Sequence, residues 1–179
     1  AQVMQIYNQT KSYLKNPQPV SDNLLYGEFH ENSKHTTRMP YMEAVYDVLE
    51  KNHGKVIYFD FWARWCPPCL TEMEPLKQLR SKFSTNDLII YSICVSEPKE
   101  QWEECLNEYS LKNCGIECVH VTDYLGIDNY QKIRKQWKID RIPYYILINR
   151  KGQIIDFGAT ARPSNPQLVS RIEDAVNSK

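Results

Sequence analysis

The sequence predicts an α/β fold: a mixed central β-sheet flanked by helices. Three patterns point there. Two apolar runs, residues 56–62 and 88–95, are nearly continuous, as strands covered on both faces are. Between and after them, apolar residues recur every three or four positions, the period of an amphipathic helix. Near the end, two strand-like runs (residues 144–149 and 153–157) are joined through Arg150, Lys151 and Gly152, a hairpin signature. Alternation first and a hairpin last implies a mixed sheet with helices on both faces.

Taken in order, residues 1–39 lack a clean period and read as an N-terminal extension to a domain at 40–179. Within it, residues 2–14 suit a helix that Pro17 and Pro19 would end, because proline excludes the helical backbone before it. HENSKHTTR (residues 30–38) reads as a loop. Residues 41–50 carry apolar side chains at helical spacing, with a stop at Asn52, His53 and Gly54. The strand at 56–62 follows, polar only at Asp60. Leu70, Met73, Leu76, Leu79 and Phe83 then mark a helix beginning at the first two cysteines. After the strand at 88–95, Trp102, Leu106 and Tyr109 mark another helix, residues 117–121 a short strand and residues 129–137 a helix. Ser164, Asn165 and Pro166 cap a last helix, with Leu168, Val169, Ile172 and Val176 on one face.

Lysine plus arginine balances aspartate plus glutamate at 22 each, which gives no electrostatic reason to expect nucleic acid or an anionic membrane as partner. No apolar run approaches the roughly 18 residues of a bilayer-spanning helix, and no signal-peptide pattern opens the chain. A mature chain would look the same, so the missing signal does not argue for the cytoplasm. Of six cysteines, Cys94, Cys105, Cys114 and Cys118 lie outside the paired motif and read first as small buried hydrophobes. A pairing of Cys105 with Cys118 or Cys114 is a second reading, since spacing does not fix connectivity. His30, His35, His53 and His120 are scattered singly and read as surface or packing residues.

The chemistry concentrates in FDFWARWCPPC, residues 59–69. Cys66 and Cys69 fall where a buried strand turns into a helix. A helix N-terminus favours an anion, and for a thiol this means more of the reactive thiolate. Cys66, at the helix edge, is the expected exposed nucleophile; Cys69, one turn on, is placed to attack a mixed disulfide formed on Cys66. Pro67 and Pro68 stiffen the turn. Asp60, desolvated beneath the motif, would have a raised pKa and would serve as the base for Cys69. Trp62 reads as packing and Trp65 as surface beside the site.

WCPPC after a strand of the form FDFWA resembles the thioredoxin superfamily. Arg141-Ile142-Pro143, leading into YYILIN, resembles that family's cis-proline loop. The long stretch between motif and Pro143, with its extra helix and strand, is similar to the extracytoplasmic TlpA/ResA-like branch. The resemblance implies a thioredoxin fold with a central helix–strand insertion. It also implies a thiol–disulfide oxidoreductase with Cys66 as nucleophile, Cys69 as resolving thiol, and Asp60 and Glu72 as acids near them. Pro143 would be cis, and Ile142 would offer backbone hydrogen bonds to an extended substrate alongside Trp65, Pro67 and Pro68. Two departures stand out. Pro75 falls one residue later than the family's helix proline, leaving the helix kink open, and the strand LIIYSICVS has no lysine for Asp60.

The expected reaction is reduction of disulfides in protein substrates, with an oxidant or isomerase as the alternative direction and a docking module without redox cycling as the alternative class. No cofactor is expected beyond the Cys66–Cys69 disulfide. A zinc site formed with Cys114 and Cys118 is disfavoured, because both residues between Cys66 and Cys69 are prolines and knuckles need free N–H groups there. The resemblance implies the bacterial periplasm or cell envelope, and a membrane or soluble electron donor for recycling.

Overall fold

The computed structural model describes residues 40–96 and 98–178. The helix and loop expected within residues 1–39, with His30 and His35, lie outside the described residues. A 3-10 turn leads into α1 (Glu43–Lys51), followed by β1 (Val56–Trp62), α2 (Pro67–Leu70), α3 (Met73–Lys82) and β2 (Leu88–Cys94). The chain continues through α4 (Lys99–Glu108), β3 (Glu117–His120), α5 (Val121–Tyr124) and α6 (Ile127–Gln136). It closes with β4 (Tyr144–Ile148), β5 (Ile154–Phe157), a second 3-10 turn and α7 (Pro166–Asn177).

These strands form one mixed sheet in the order β3-β2-β1-β4-β5. β1, β2 and β3 run parallel; β4 pairs antiparallel with β1, and β5 with β4. The inserted helix and strand therefore extend the sheet at the β2 edge, and the hairpin supplies the other. Side chains alternate across β1. Ile57, Phe59 and Phe61 pack with Val45 and Leu49 of α1 and Ile133 of α6. Val56 and Tyr58 pack with Leu76 and Leu79 of α3 and Leu168 and Ile172 of α7. Both faces are covered, so every residue of β1 is buried, which explains its unbroken apolar run.

The single helix expected after the cysteines is two. The chain breaks at Thr71 and Glu72, one turn before Pro75. Pro75 has no N–H for the carbonyl of Thr71, and its ring would collide with that carbonyl. The α-helical ladder resumes with the Leu76 N–H donating to the Glu72 carbonyl at 2.9 Å. Phe83 is the C-cap of α3, outside the helix. The strand expected to reach Val121 ends at His120, whose ring accepts from the Thr122 backbone N–H and so starts α5, a helix without a legible period. Asn165 caps α7 as expected, accepting from the Gln167 N–H, with Pro166 in its first turn.

At the end of the sheet where β1 begins, Arg150 of the hairpin joins three segments. Its guanidinium donates to the Gly54 carbonyl (2.7 Å), the Val176 carbonyl (2.8 Å) and the Asp87 carboxylate (2.8 Å). Hydrogen bonds to a charged group contribute about 1.5–3 kcal/mol each at best, less here because water reaches this half-exposed site. Arg150→Ala is expected to lower unfolding free energy by about 2 kcal/mol, read from urea denaturation at constant slope. A loss below about 0.5 kcal/mol would show that these contacts are only surface decoration.

Candidate active site

Fully buried, β1 delivers two things to its carboxyl end: Asp60 inside the sheet and the CPPC turn just beyond it. Cys66 is the N-cap of α2, with Pro67 and Pro68 in the first turn. The first backbone donors available after the prolines, the N–H groups of Cys69 and Leu70, both go to the Cys66 carbonyl at 2.9 and 3.1 Å. Cys66 and Cys69 are joined as a disulfide, with Cα atoms 5.2 Å apart. α2 is a single turn, so the dipole expected to act on Cys66 is that of four residues, not of a long helix.

Cys66 is 5% exposed and Cys69 1%, which corrects the expected open position of Cys66. Both sulfurs are drawn into a cluster with Trp62, Ala63 and Met73, against which Ile142 also packs. The exposed parts of the turn are Trp65, at 68%, and the two prolines. Ile142–Pro143 is cis, and both residues are half-buried. Beside Trp65 opens a groove of about 250 Å³, lined among others by Arg64, Leu70, Gln101 and Tyr109.

Asp60 is 3% exposed. In register it faces Ser92 on β2 and Tyr145 on β4, and Ser92 in turn faces Cys118 on β3. These four side chains form one row on the sheet face that also carries Trp62, hence on the side of the disulfide cluster. Ser92 Oγ donates to Asp60 Oδ2 at 3.0 Å. The Tyr145 hydroxyl is buried without a hydrogen-bond partner among the described residues. Burial pushes the Asp60 carboxyl up to about 7; the Ser92 hydrogen bond opposes this, and the nearby Glu72 charge adds to it.

Glu72 lies in the break between α2 and α3 and is 6% exposed. The backbone N–H and hydroxyl of Ser164 donate to its two carboxylate oxygens at 2.9 and 2.8 Å, and Arg162 approaches to 3.7 Å. The carboxylate of Glu72 is thus held by the segment before α7.

Sequence reasoning missed Ser92, Ser96, Arg162 and Ser164. The signal for Ser92 was present, as the polar residue inside LIIYSICVS. Ser96 fastens the start of the active turn: its Oγ accepts from the Arg64 N–H at 3.2 Å, and its carbonyl meets His120 Nε2 at 2.7 Å. His120 is buried, a packing residue as read; His53 is exposed. Cys94, Cys105, Cys114 and Cys118 are free thiols, so neither expected partner of Cys105 is bonded to it. Cys105 is buried below the turn with Cys94 and Leu106, while Cys114 lies in the loop after α4. Among the described residues, no group of three or more histidine, cysteine or acidic side chains is placed to hold a metal, and no helix is long and apolar enough to cross a membrane.

A family model described as Redoxin matches residues 36–176. The thiol-disulfide oxidoreductase ResA of Bacillus thuringiensis (strain Al Hakam) is 26% identical over 108 residues, 60% of this chain and 57% of that protein. The chain thus spans little more than half the length of this curated relative. A Bacteroides vulgatus structure described as a candidate thiol-disulfide oxidoreductase is 35% identical, covering 70% of this chain and 76% of that one, with a TM-score of 0.53. The thioredoxin domain of a thiol-disulfide oxidoreductase from Bacteroides vulgatus is 23% identical, covering 72% and 84%, with a TM-score of 0.60. That last likeness concerns the fold alone, and the fold is the thioredoxin fold the sequence predicts.

Asp60 titrates near 3.8 in an unfolded chain and near 7 here, so the unfolded state releases its proton first as pH rises. The stability tied to the protonated carboxyl is full below about pH 4, declines between the two values and is gone above about pH 7. Asp60→Asn is therefore expected to match the wild type near pH 4 and to exceed it at pH 8, by up to about 4 kcal/mol. Urea unfolding of the oxidised protein at both pH values measures the difference; equal stability at pH 8 would mean that Asp60 is not desolvated.

Proposed function

The chain belongs to the redoxin family, and on that premise we propose that it is a thiol–disulfide oxidoreductase that reduces disulfides in protein substrates. The observation that carries this reading is the Cys66–Cys69 pair at the end of the central strand, on the same sheet face as a buried acid. In the reducing direction the Cys66 thiolate attacks a substrate disulfide and expels one substrate thiol. The Cys69 thiolate then attacks the Cys66 sulfur, expels the second substrate thiol and leaves the enzyme oxidised. Two electrons pass to the substrate, and the two thiol protons follow.

Asp60 takes the proton from Cys69 in the second step. A base that titrates near neutrality suits this task, since it is neither permanently charged nor permanently protonated. Glu72, anchored by Ser164, keeps a second negative charge nearby and so favours the protonated form of Asp60 between turnovers. Trp65, Pro67 and Pro68 form the surface that meets the substrate, and Ile142 and Pro143 supply backbone contacts to an extended segment of it. The active unit is the domain at 40–179. Its place is the bacterial envelope, and a membrane or soluble dithiol donor returns it to the reduced form.

Cys69→Ser is expected to trap a covalent complex with substrate through Cys66, released by dithiothreitol, because attack survives and resolution is lost. Asp60→Asn should slow turnover more than the first attack, by at most about 10²–10⁴-fold. Trapping that is equally strong in Cys66→Ser would reverse the two cysteine roles. Equal slowing of both steps would remove Asp60 as the base.

The direction of reaction follows from how well the turn stabilises a Cys66 thiolate. A one-turn helix whose first two residues are prolines offers it little. The expected potential is on the reducing side of about −200 mV, towards thioredoxin. Pro68→His adds an N–H and a titratable cation, and should make the protein more oxidising. Paired glutathione titrations test this; an unchanged or more negative potential in Pro68→His would show that another feature sets the direction.

A further inference from the structure

Four cysteines lie outside the active turn, and they fall into two kinds. Cys94 and Cys105 are 0% and 1% exposed, sealed beneath the turn. Cys114 and Cys118 are half-buried and close together. After α4 the chain folds back through Ser110 and Asn113, both at positive φ, and Gly115 at φ +81. This brings both thiols to one acceptor: Cys114 Sγ lies 2.9 Å from the Leu111 carbonyl oxygen, and Cys118 Sγ lies 3.9 Å from the same atom. The loop is backed by a fixed side chain. Arg80 donates to the carbonyls of Leu88 and Phe83 at 2.5 and 2.6 Å, and its stem passes 3.4 Å from where a Cβ on Gly115 would sit.

We propose that Cys114 and Cys118 form a second thiol–disulfide site, separate from Cys66 and Cys69, that closes by exchange with a low-molecular-weight disulfide such as oxidised glutathione. Two sulfurs turned to one carbonyl oxygen are near neighbours, and rotation of the side chains together with adjustment of the loop brings them to bonding distance. Cys118 is the poorer first nucleophile, because burial and then the neighbouring Cys114 push its thiol up to about 12. Cys114 therefore attacks first. Its thiolate displaces one glutathione thiol and forms a mixed disulfide. Cys118 then attacks the Cys114 sulfur and displaces the second. One disulfide is reduced by two electrons, one Cys114–Cys118 bond forms, and the two thiol protons end on two molecules of glutathione. Closure ties the start of β3 to the loop before it, at the sheet edge where the inserted segment enters.

The test uses Cys66→Ser/Cys69→Ser, so that the first pair cannot contribute. The protein is equilibrated across a range of reduced-to-oxidised glutathione ratios, then alkylated and mapped. Cys114 and Cys118 share the tryptic peptide 113–132, which should shift in one step from doubly alkylated to the form lacking two hydrogens. Cys94 and Cys105 should remain alkylatable after unfolding. In Cys118→Ser the glutathione adduct should persist on Cys114, whereas Cys114→Ser should react at least about ten-fold more slowly. The wild-type protein with Cys66–Cys69 already closed gives the same peptide readout, should the double variant fold poorly. Both cysteines staying alkylatable at the oxidising end, each carrying its own glutathione, or either one pairing with Cys105 would overturn the proposal.

Discussion

A carboxyl group placed inside the central strand is the constraint around which this molecule is arranged. Asp60 has strands on both sides and helices over both faces, so it is almost wholly removed from solvent, and among the described residues Ser92 is its one close donor. One neutral hydrogen bond contributes about 1 kcal/mol, well short of what taking a full charge out of water costs. The group answers by holding its proton up to about pH 7. The neighbouring acid has more partners. Glu72 is also buried, but Ser164 and Arg162 are brought from far along the chain to meet both of its oxygens. Two acids on one side of the sheet thus sit in different polar surroundings.

The active turn, for its part, does not depend on a long helix. The helix breaks at Thr71 and Glu72, ahead of Pro75, so the cysteines sit on a short segment secured at its root by Ser96 and at its end by the buried Glu72. Little charge stabilisation comes from the helix. The protein instead places a buried carboxyl on the sheet face of the pair and keeps both sulfurs in apolar surroundings. On the proposed mechanism, removal of the proton from Cys69 matters as much as the acidity of Cys66.

Much of this was legible in the sequence, and the parts that were not share a cause. The central strand was read to the residue, because a run covered on both faces has no polar position to blur it except Asp60. The hairpin and the last helix were equally plain, since glycine and proline mark them locally, whereas the cis bond before Pro143 came only from the resemblance to thioredoxins. The break after Leu70 was open because the apolar spacing from Leu70 to Phe83 passes unchanged through Thr71 and Glu72; only the missing N–H of Pro75 records it. The partners of Glu72 left no mark near Glu72, being 92 residues away. The burial of Cys66 escaped for a similar reason, since Ile142, which packs against its cluster, lies far along the chain.

The knot at Arg150 carries a consequence for how such a protein changes over generations. It sits where β1 begins and the cysteines sit where β1 ends, so seven residues of extended chain, roughly 20 Å, lie between them. Substitutions that far apart, with no shared neighbours, add rather than interact. A lineage moving to warmer or colder surroundings has a region to retune at one pole while the redox centre at the other stays as inherited. The central strand is both the link between these two ends and the spacer that keeps selection on one from disturbing the other.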